Sequence, residues 1–320
     1  MKKLLSIFAA IATVASVAAQ GHKAIPIGVF VSNDSDVVPE MAQSTLNDKM
    51  RQIVTVNGLG ADNRASFFIT CSVNLTDKDV IGSAPTRIVQ YADVTFYIAD
   101  AQTERIYESY TMSLRGIGEN ETKAFVSALK SVKPSASEMK SFVERATREI
   151  VDYYESQIDN YIKQAQSFAK MGEFEQALYL LSSVPDACEG YDRVNDAAIE
   201  VYQLMIDNES LMLLQKAKMV WAAGRSYEAA EEAGWYLAEV SPYSSCFAEA
   251  ERLAAEIKVF VIKERKYDRE QAEEAIDWAR KMAERKLDLD AYYIDAWRDV
   301  GVAYGENQQE RTYDVWWMYR

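Results

Sequence analysis

The sequence predicts an α+β protein: a small α/β sandwich-type domain, ordered strand, helix, three strands, helix, followed by an all-α tetratricopeptide-like helical repeat domain. Three observations carry this. Residues 25–133 alternate short β-branched runs with single helical stretches, Lys133-Pro134 interrupts that pattern, and every later segment places apolar residues at steps of three and four. The expected division is 1–19 as a leader, 20–134 as the α+β domain, and 135–320 as the helical domain with a long leading helix.

Met1-Lys2-Lys3, an apolar run from Leu4 to Val17, and Ala18-Ala19 before Gln20 follow the order of a cleavable signal peptide. An apolar run of about fourteen residues falls short of the roughly 20 a spanning helix needs, so cleavage after Ala19 is expected rather than anchoring. No Cys follows the run, which removes the usual lipid anchor, and no second apolar run reaches spanning length. An exported bacterial protein is expected, in the periplasm or associated with the outer membrane or cell surface. Loss of Lys2 and Lys3 with no acid moves the formal charge from -14 to -16. A duplex phosphate backbone repels such a chain, and no Lys/Arg cluster offsets this, so nucleic acid and anionic membrane surfaces are poor partners.

Ile27 to Val31 reads as a strand closed by the turn-like Ser32-Asn33-Asp34-Ser35-Asp36. Glu40 to Val56 carries Met41, Leu46, Met50, Ile53 and Val54 at helical spacing, and Asn57-Gly58-Leu59-Gly60 ends it with a left-handed cap. Ser66 to Leu75, Arg87 to Ala99 and Ile106 to Leu114 are β-rich, with Val94, Phe96 and Ile98 on one face and Thr95 and Tyr97 on the other. Gly116 and Gly118 are expected to break the last strand before a helix over Glu121 to Val132. Pro134 disfavours a helical predecessor, and Ser135 with Glu138 matches a capping box, so a new helix starts there. Its apolar positions from Met139 to Ala169 run for about 30 residues, far beyond the common three or four turns.

A repeat follows. Ala165 to Pro185 and Ala217 to Pro242 each place Gly seven residues after the first Ala, an aromatic just beyond, and Ala five after the Gly, at an offset of 52 residues. Gly172, Phe174, Ala177 and Pro185, then Gly224, Tyr227, Ala229 or Ala230 and Pro242, resemble the tetratricopeptide repeat. That resemblance implies antiparallel helix pairs turning at the glycines and touching at the alanines. The offset exceeds the family's own period, so an extra helix is expected near Asp196 to Ile206. Of the formal charge, residues 20–134 hold 11 basic and 13 acidic residues, so the acidity belongs to the helices.

Chemistry-bearing patterns are few. The only His, His22, lies at the start of the mature chain, which argues against Ser/His/Asp, Cys/His and His-based metal sites. Asp34-Ser35-Asp36 could hold a cation through oxygens but is an ordinary turn composition. Gly116-Ile117-Gly118 is too short for a nucleotide fingerprint. Cys71, Cys188 and Cys246 are too scattered for a disulfide framework; Cys71 reads as a buried hydrophobe, and pairing of Cys188 with Cys246 stays open. Met205, Met212 and Met219 form one helix stripe, read as core. The tail from Tyr313 to Arg320 carries Trp316, Trp317 and Tyr319; it either caps the helical array or forms a partner or glycan site. No catalytic, cofactor-binding or metal-binding residue is assigned.

With Leu46 to Gly60 as a helix ending in Asn57-Gly58, and the later turn Leu114-Arg115-Gly116-Ile117-Gly118-Glu119-Asn120, residues 25–133 are similar to the small α/β domain shared by the curli-export channel family and the penicillin-binding-protein activator lipoproteins. The lipoprotein Cys of those families is missing. The resemblance implies an envelope assembly or regulatory role without catalysis. The expected function is a non-enzymatic scaffold whose helical repeats hold a protein partner in the cell envelope, its own oligomeric state left open. The competing expectation is a carboxylate-dependent envelope hydrolase or a carbohydrate-binding protein.

Overall fold

The computed structural model describes residues 25–30, 38–61, 66–82, 85–264, 277–285 and 293–308. Residues 1–19, expected as a leader, His22, residues 32–36 and the aromatic stretch with Trp316, Trp317 and Tyr319 lie outside the described residues.

Seven elements build the α+β part: β1 (Pro26–Val29), α1 (Glu40–Val56), β2 (Gly60–Ala61), β3 (Phe67–Ile81), β4 (Arg87–Asp100), β5 (Arg105–Gly118) and α2 (Glu121–Lys130). The expected order stands, with the two-residue β2 added. Sheet order is β2-β1-β3-β4-β5, β1 running parallel to both neighbours and the rest antiparallel. Period-two alternation sets the faces: Ala92, Val94, Phe96 and Ile98 of β4 are buried, and Cys71 and Ile69 stand opposite Phe96 and Ile98. α1 adds Ala42, Leu46, Met50, Ile53 and Val54 to the same core, while Met41 turns outward at 69% exposure. Its end is the expected one, with Gly58 at φ 80 and Leu59 N–H donating to the Val54 carbonyl at 3.1 Å. The opposite sheet face is polar, where the Thr95 and Thr111 hydroxyls share a 2.8 Å hydrogen bond and Ser113 donates to Asp93 at 2.6 Å.

Gly116 and Gly118 do not break β5. They lie within it, and α2 rests directly on them: a Cβ on Gly116 would meet the Ala124 carbonyl oxygen at 2.0 Å, and one on Gly118 the Ala124 nitrogen at 2.3 Å. Their role is close helix-on-sheet approach. The chain then reaches α3 (Ser137–Met171) without the anticipated capping box, since the N-cap is Ala136 with no side-chain cap. The linker is instead held by α1, where Lys49 Nζ donates to the Val132 carbonyl at 2.8 Å and the Asn57 amide donates to the Pro134 carbonyl at 3.2 Å.

α3 is 35 residues long, and its first half joins the sheet. Tyr154 stacks edge-on against Phe67 at 5.6 Å, Tyr153 against Tyr107 at 5.9 Å, and Tyr110 lies against Phe142 at 6.0 Å. At this joint Asp100 is fully buried and accepts three hydrogen bonds, from Tyr154 Oη at 2.7 Å, Thr103 Oγ1 at 2.9 Å and Gln102 N–H at 2.8 Å. Those donors offset the desolvation of a carboxylate that would otherwise be costly to bury. Burial and the nearby Asp100 carboxylate push the Tyr107 and Tyr154 hydroxyls far above their ordinary range.

Beyond α3 the chain is helical: α4 (Phe174–Ser182), α5 (Tyr191–Ala223), α6 (Tyr227–Glu239), α7 (Phe247–Glu264), α8 (Trp278–Arg285) and α9 (Tyr293–Gln308). Two hydrophobic cores result. The first runs without interruption from Ile25 through the sheet, α3 and α4 to Val201 in α5, and takes in Trp297 of α9. The second gathers Leu214, Ala217 and Trp221 of α5 with residues of α6, α7 and α8. The apolar pattern changes at Pro134, but the first core passes through that point.

The extra helix expected near Asp196 to Ile206 is not separate. It is continuous with the first helix of the next repeat, forming the 33-residue α5. Gly172 ends α3 at φ 82, a left-handed cap at the turn the pattern implies; Gly224 ends α5 in extended backbone at φ -165 that does not require glycine. Ala177 and Ala230 are both fully buried.

Candidate functional site

Two loops of the helical part have matching geometry and shape the site. The loop after α4 and the loop after α6 make the same backbone hydrogen bonds: Val184 N–H to Leu181 O and Val240 N–H to Leu237 O, then Cys188 N–H to Pro185 O and Ser244 N–H to Ser241 O. Each loop is pinned by a carboxylate on the long helix behind it. Glu155 of α3 accepts from Gly190 N–H at 3.1 Å, and Asp207 of α5, 52 residues on, accepts from Ser245 N–H at 2.7 Å. Gln203 of α5 also donates to the Tyr243 carbonyl at 3.0 Å. The second unit therefore hangs on the middle of α5.

That arrangement leaves the middle of α5 between the cores. From 202 to 213 only Ile206 and Ser210 are buried, although Leu204, Met205, Leu211, Met212 and Leu213 are all apolar. The uncovered side opens a groove of about 640 Å³, walled by the end of α3, Phe174 at the start of α4, α5, and the loop at Ser245-Cys246. Leu204 and Leu211, two helical turns apart, stand in it at 46% and 44% exposure. On the other side of Phe174 and Asn208 the groove continues as a cleft of about 470 Å³ lined by Glu173, Glu175, Glu209 and Tyr304. Glu209 has its carboxyl raised above the usual carboxylate range by burial and by the neighbouring Glu175.

Gly172 of the repeat does help form this site, since it turns the chain so that Phe174 divides the groove. The methionine stripe is not core throughout. Met205 packs against the first core, but Met212 and Met219 are 52% and 65% exposed. Cys71, Cys188 and Cys246 are free thiols, and burial pushes Cys71 and Cys188 up to about 12, so neither is a ready nucleophile. Cys246 lines the groove. Sequence reasoning missed Leu204 and Leu211; the signal was that apolar residues encircle α5 between Ile199 and Leu214, more than one packed face absorbs.

Among the described residues no cluster of three His, Cys, Asp or Glu side chains is placed to hold a metal ion, and no helix is long and apolar enough to cross a membrane. No family model matches the chain, and no curated protein matches it. Among solved structures it is similar to a minor lipoprotein from Acinetobacter baumannii, at 16% identity over 39% of this chain and 91% of that one, with a TM-score of 0.24. A likeness that slight carries nothing about fold or role.

Proposed function

We propose that this chain is a non-enzymatic protein of the bacterial cell envelope that holds a segment of another protein in the groove along α5. The observation that carries the reading is Leu204 and Leu211 standing half-exposed in a groove of about 640 Å³, on the stretch of α5 between the two hydrophobic cores. Neighbouring apolar side chains in a concave site favour a ligand that covers them. Helical repeats supply such surfaces, and the signal-peptide-like order of residues 1–19 supports an exported location.

The test is a photo-reactive amino acid placed at Leu204 or Leu211 in the intact cell, with the same substitution at the exposed Met219 as the reference. Discrete protein adducts from the groove positions alone are the expected result. Adducts to glycan, or equal adducts from all three positions, would overturn the reading.

A further inference from the structure

We infer that the segment held in the groove is cationic as well as apolar, with basic side chains reaching Glu175 and Glu209 while its apolar ones cover Leu204 and Leu211. This rests on the docking reading and names the chemistry of the partner.

Charge is the ground for it. Glu173, Glu175, Glu200 and Glu209 line the two halves of the groove, and none of them is held in an ion pair among the described residues. Acids nearby are treated differently: Glu249 is paired with Lys218 at 2.7 Å and Glu239 with Lys281 at 2.6 Å. Lys170 is the one cation among the described residues lining the groove. Glu175 raises the Glu209 carboxyl, so the two carboxylates repel, and an incoming ammonium or guanidinium relieves that repulsion. Charge steers and selects; the leucines supply the apolar contact. Phe174 and Asn208 line both halves, with Leu204, Leu211 and Glu200 on one side and Glu173, Glu175 and Glu209 on the other. A matching ligand therefore carries basic residues beside its leucine-like ones.

The experiment uses the processed full chain and two fluorescent peptides of equal length and identical leucine spacing, one with lysines and the other with glutamates at the remaining positions. The lysine peptide is expected to bind and the glutamate peptide not to. Glu175→Gln with Glu209→Gln should weaken binding by about fivefold, as should raising salt from about 50 to about 200 mM. Leu204→Ser with Leu211→Ser should weaken it at both salt concentrations. Glu231→Gln with Glu232→Gln, exposed acids of α6 outside the groove, is the charge-matched control and should leave binding unchanged. Equal weakening by the control pair, or equal binding of the glutamate peptide, would overturn the proposal, as would failure of both peptides to bind. Such a failure with groove photo-adducts intact removes the charge inference alone; loss of the adducts as well removes the docking reading. Circular dichroism of each variant separates lost binding from lost fold.

Discussion

The two helical units share a loop, a pinning carboxylate and a returning tryptophan, yet they are locked differently. In the first unit Trp297 of α9 donates its indole N–H to Asn195 Oδ1 at 3.2 Å, and Gly301 lets α9 lie against the backbone of Leu178. In the second, Trp278 of α8 lies across Gly234, where a Cβ would meet the indole at 2.1 Å. The first unit is also fused to the sheet through Asp100 and the α3 aromatics, whereas the second gathers around α5, α6, α7 and α8. One unit thus carries the sheet as part of its core. The other is a satellite, and the groove opens where the two meet.

Glycines offer the hardest way to break that comparison. A methyl at Gly116 collides with backbone atoms of α2, which cannot give, so Gly116→Ala should cost about 3 kcal/mol, the upper end for overpacking. Gly234→Ala collides with the buried indole of Trp278, a side chain rather than a helix backbone, so a smaller loss of about 1 to 2 kcal/mol is expected. Urea midpoints followed by circular dichroism measure both, and hydrogen exchange tells which core has loosened. Equal losses would mean that Trp278 is as immovable as a helix backbone.

The buried carboxylate separates the units chemically. Tyr154→Phe removes one donor to Asp100 and should cost about 1.5 to 3 kcal/mol, with faster amide exchange in β4 and α3 but not in α6 or α7. Alkali reads the same joint. Tyr161 is pushed up to about 12 by burial, and Tyr107 and Tyr154 are raised still further, all in the first core. A raised folded-state value means that their contribution is intact below the ordinary 10.0 and is lost as pH climbs through the folded values, because the unfolded tyrosines ionise first. Stability should therefore fall steadily from pH 10 upward, and Tyr161→Phe should flatten the slope. An unchanged slope would mean that Tyr161 ionises freely in the folded protein.

Much of the fold was legible because it rests on local periodicity. The boundaries of α1 with its left-handed cap at Gly58, the inward set on β4 and the turn at Gly172 follow from spacing and glycine chemistry alone. What escaped depends on long-range contacts. Gly116 and Gly118 read as a turn because a close helix approach leaves the same mark in sequence as a break. α5 read as two helices because its inward face changes between Val201 and Leu214, where it leaves one core and enters the next. The groove went unseen for that reason, since Leu204 and Leu211 look like core until the place where neither core reaches them is known.

Alanine contacts sharpen the comparison at a smaller scale. Ala177 on α4 and Ala230 on α6 are both fully buried against the preceding long helix's unit. Leu at either site should overpack it by about 1 to 3 kcal/mol. If the units are equivalent, the losses match in thermal denaturation. A clearly smaller loss for Ala230→Leu would show that the satellite core yields where the fused one cannot.

The smallest effect is expected at Glu209. Its carboxyl is raised above the ordinary 4.5 by burial first and by Glu175 second, so its favourable contribution is present below 4.5 and disappears as pH rises through the folded value. At neutral pH the ionised group therefore opposes folding slightly, and solvent screening keeps the effect small. Glu209→Gln should raise the melting midpoint a little at pH 7 and leave it unchanged near pH 4, while weakening binding of a lysine-rich peptide. Opposite signs for stability and binding mark a charge kept for a ligand; a lower midpoint at pH 7 would make Glu209 a structural group and leave the groove without its acidic contact.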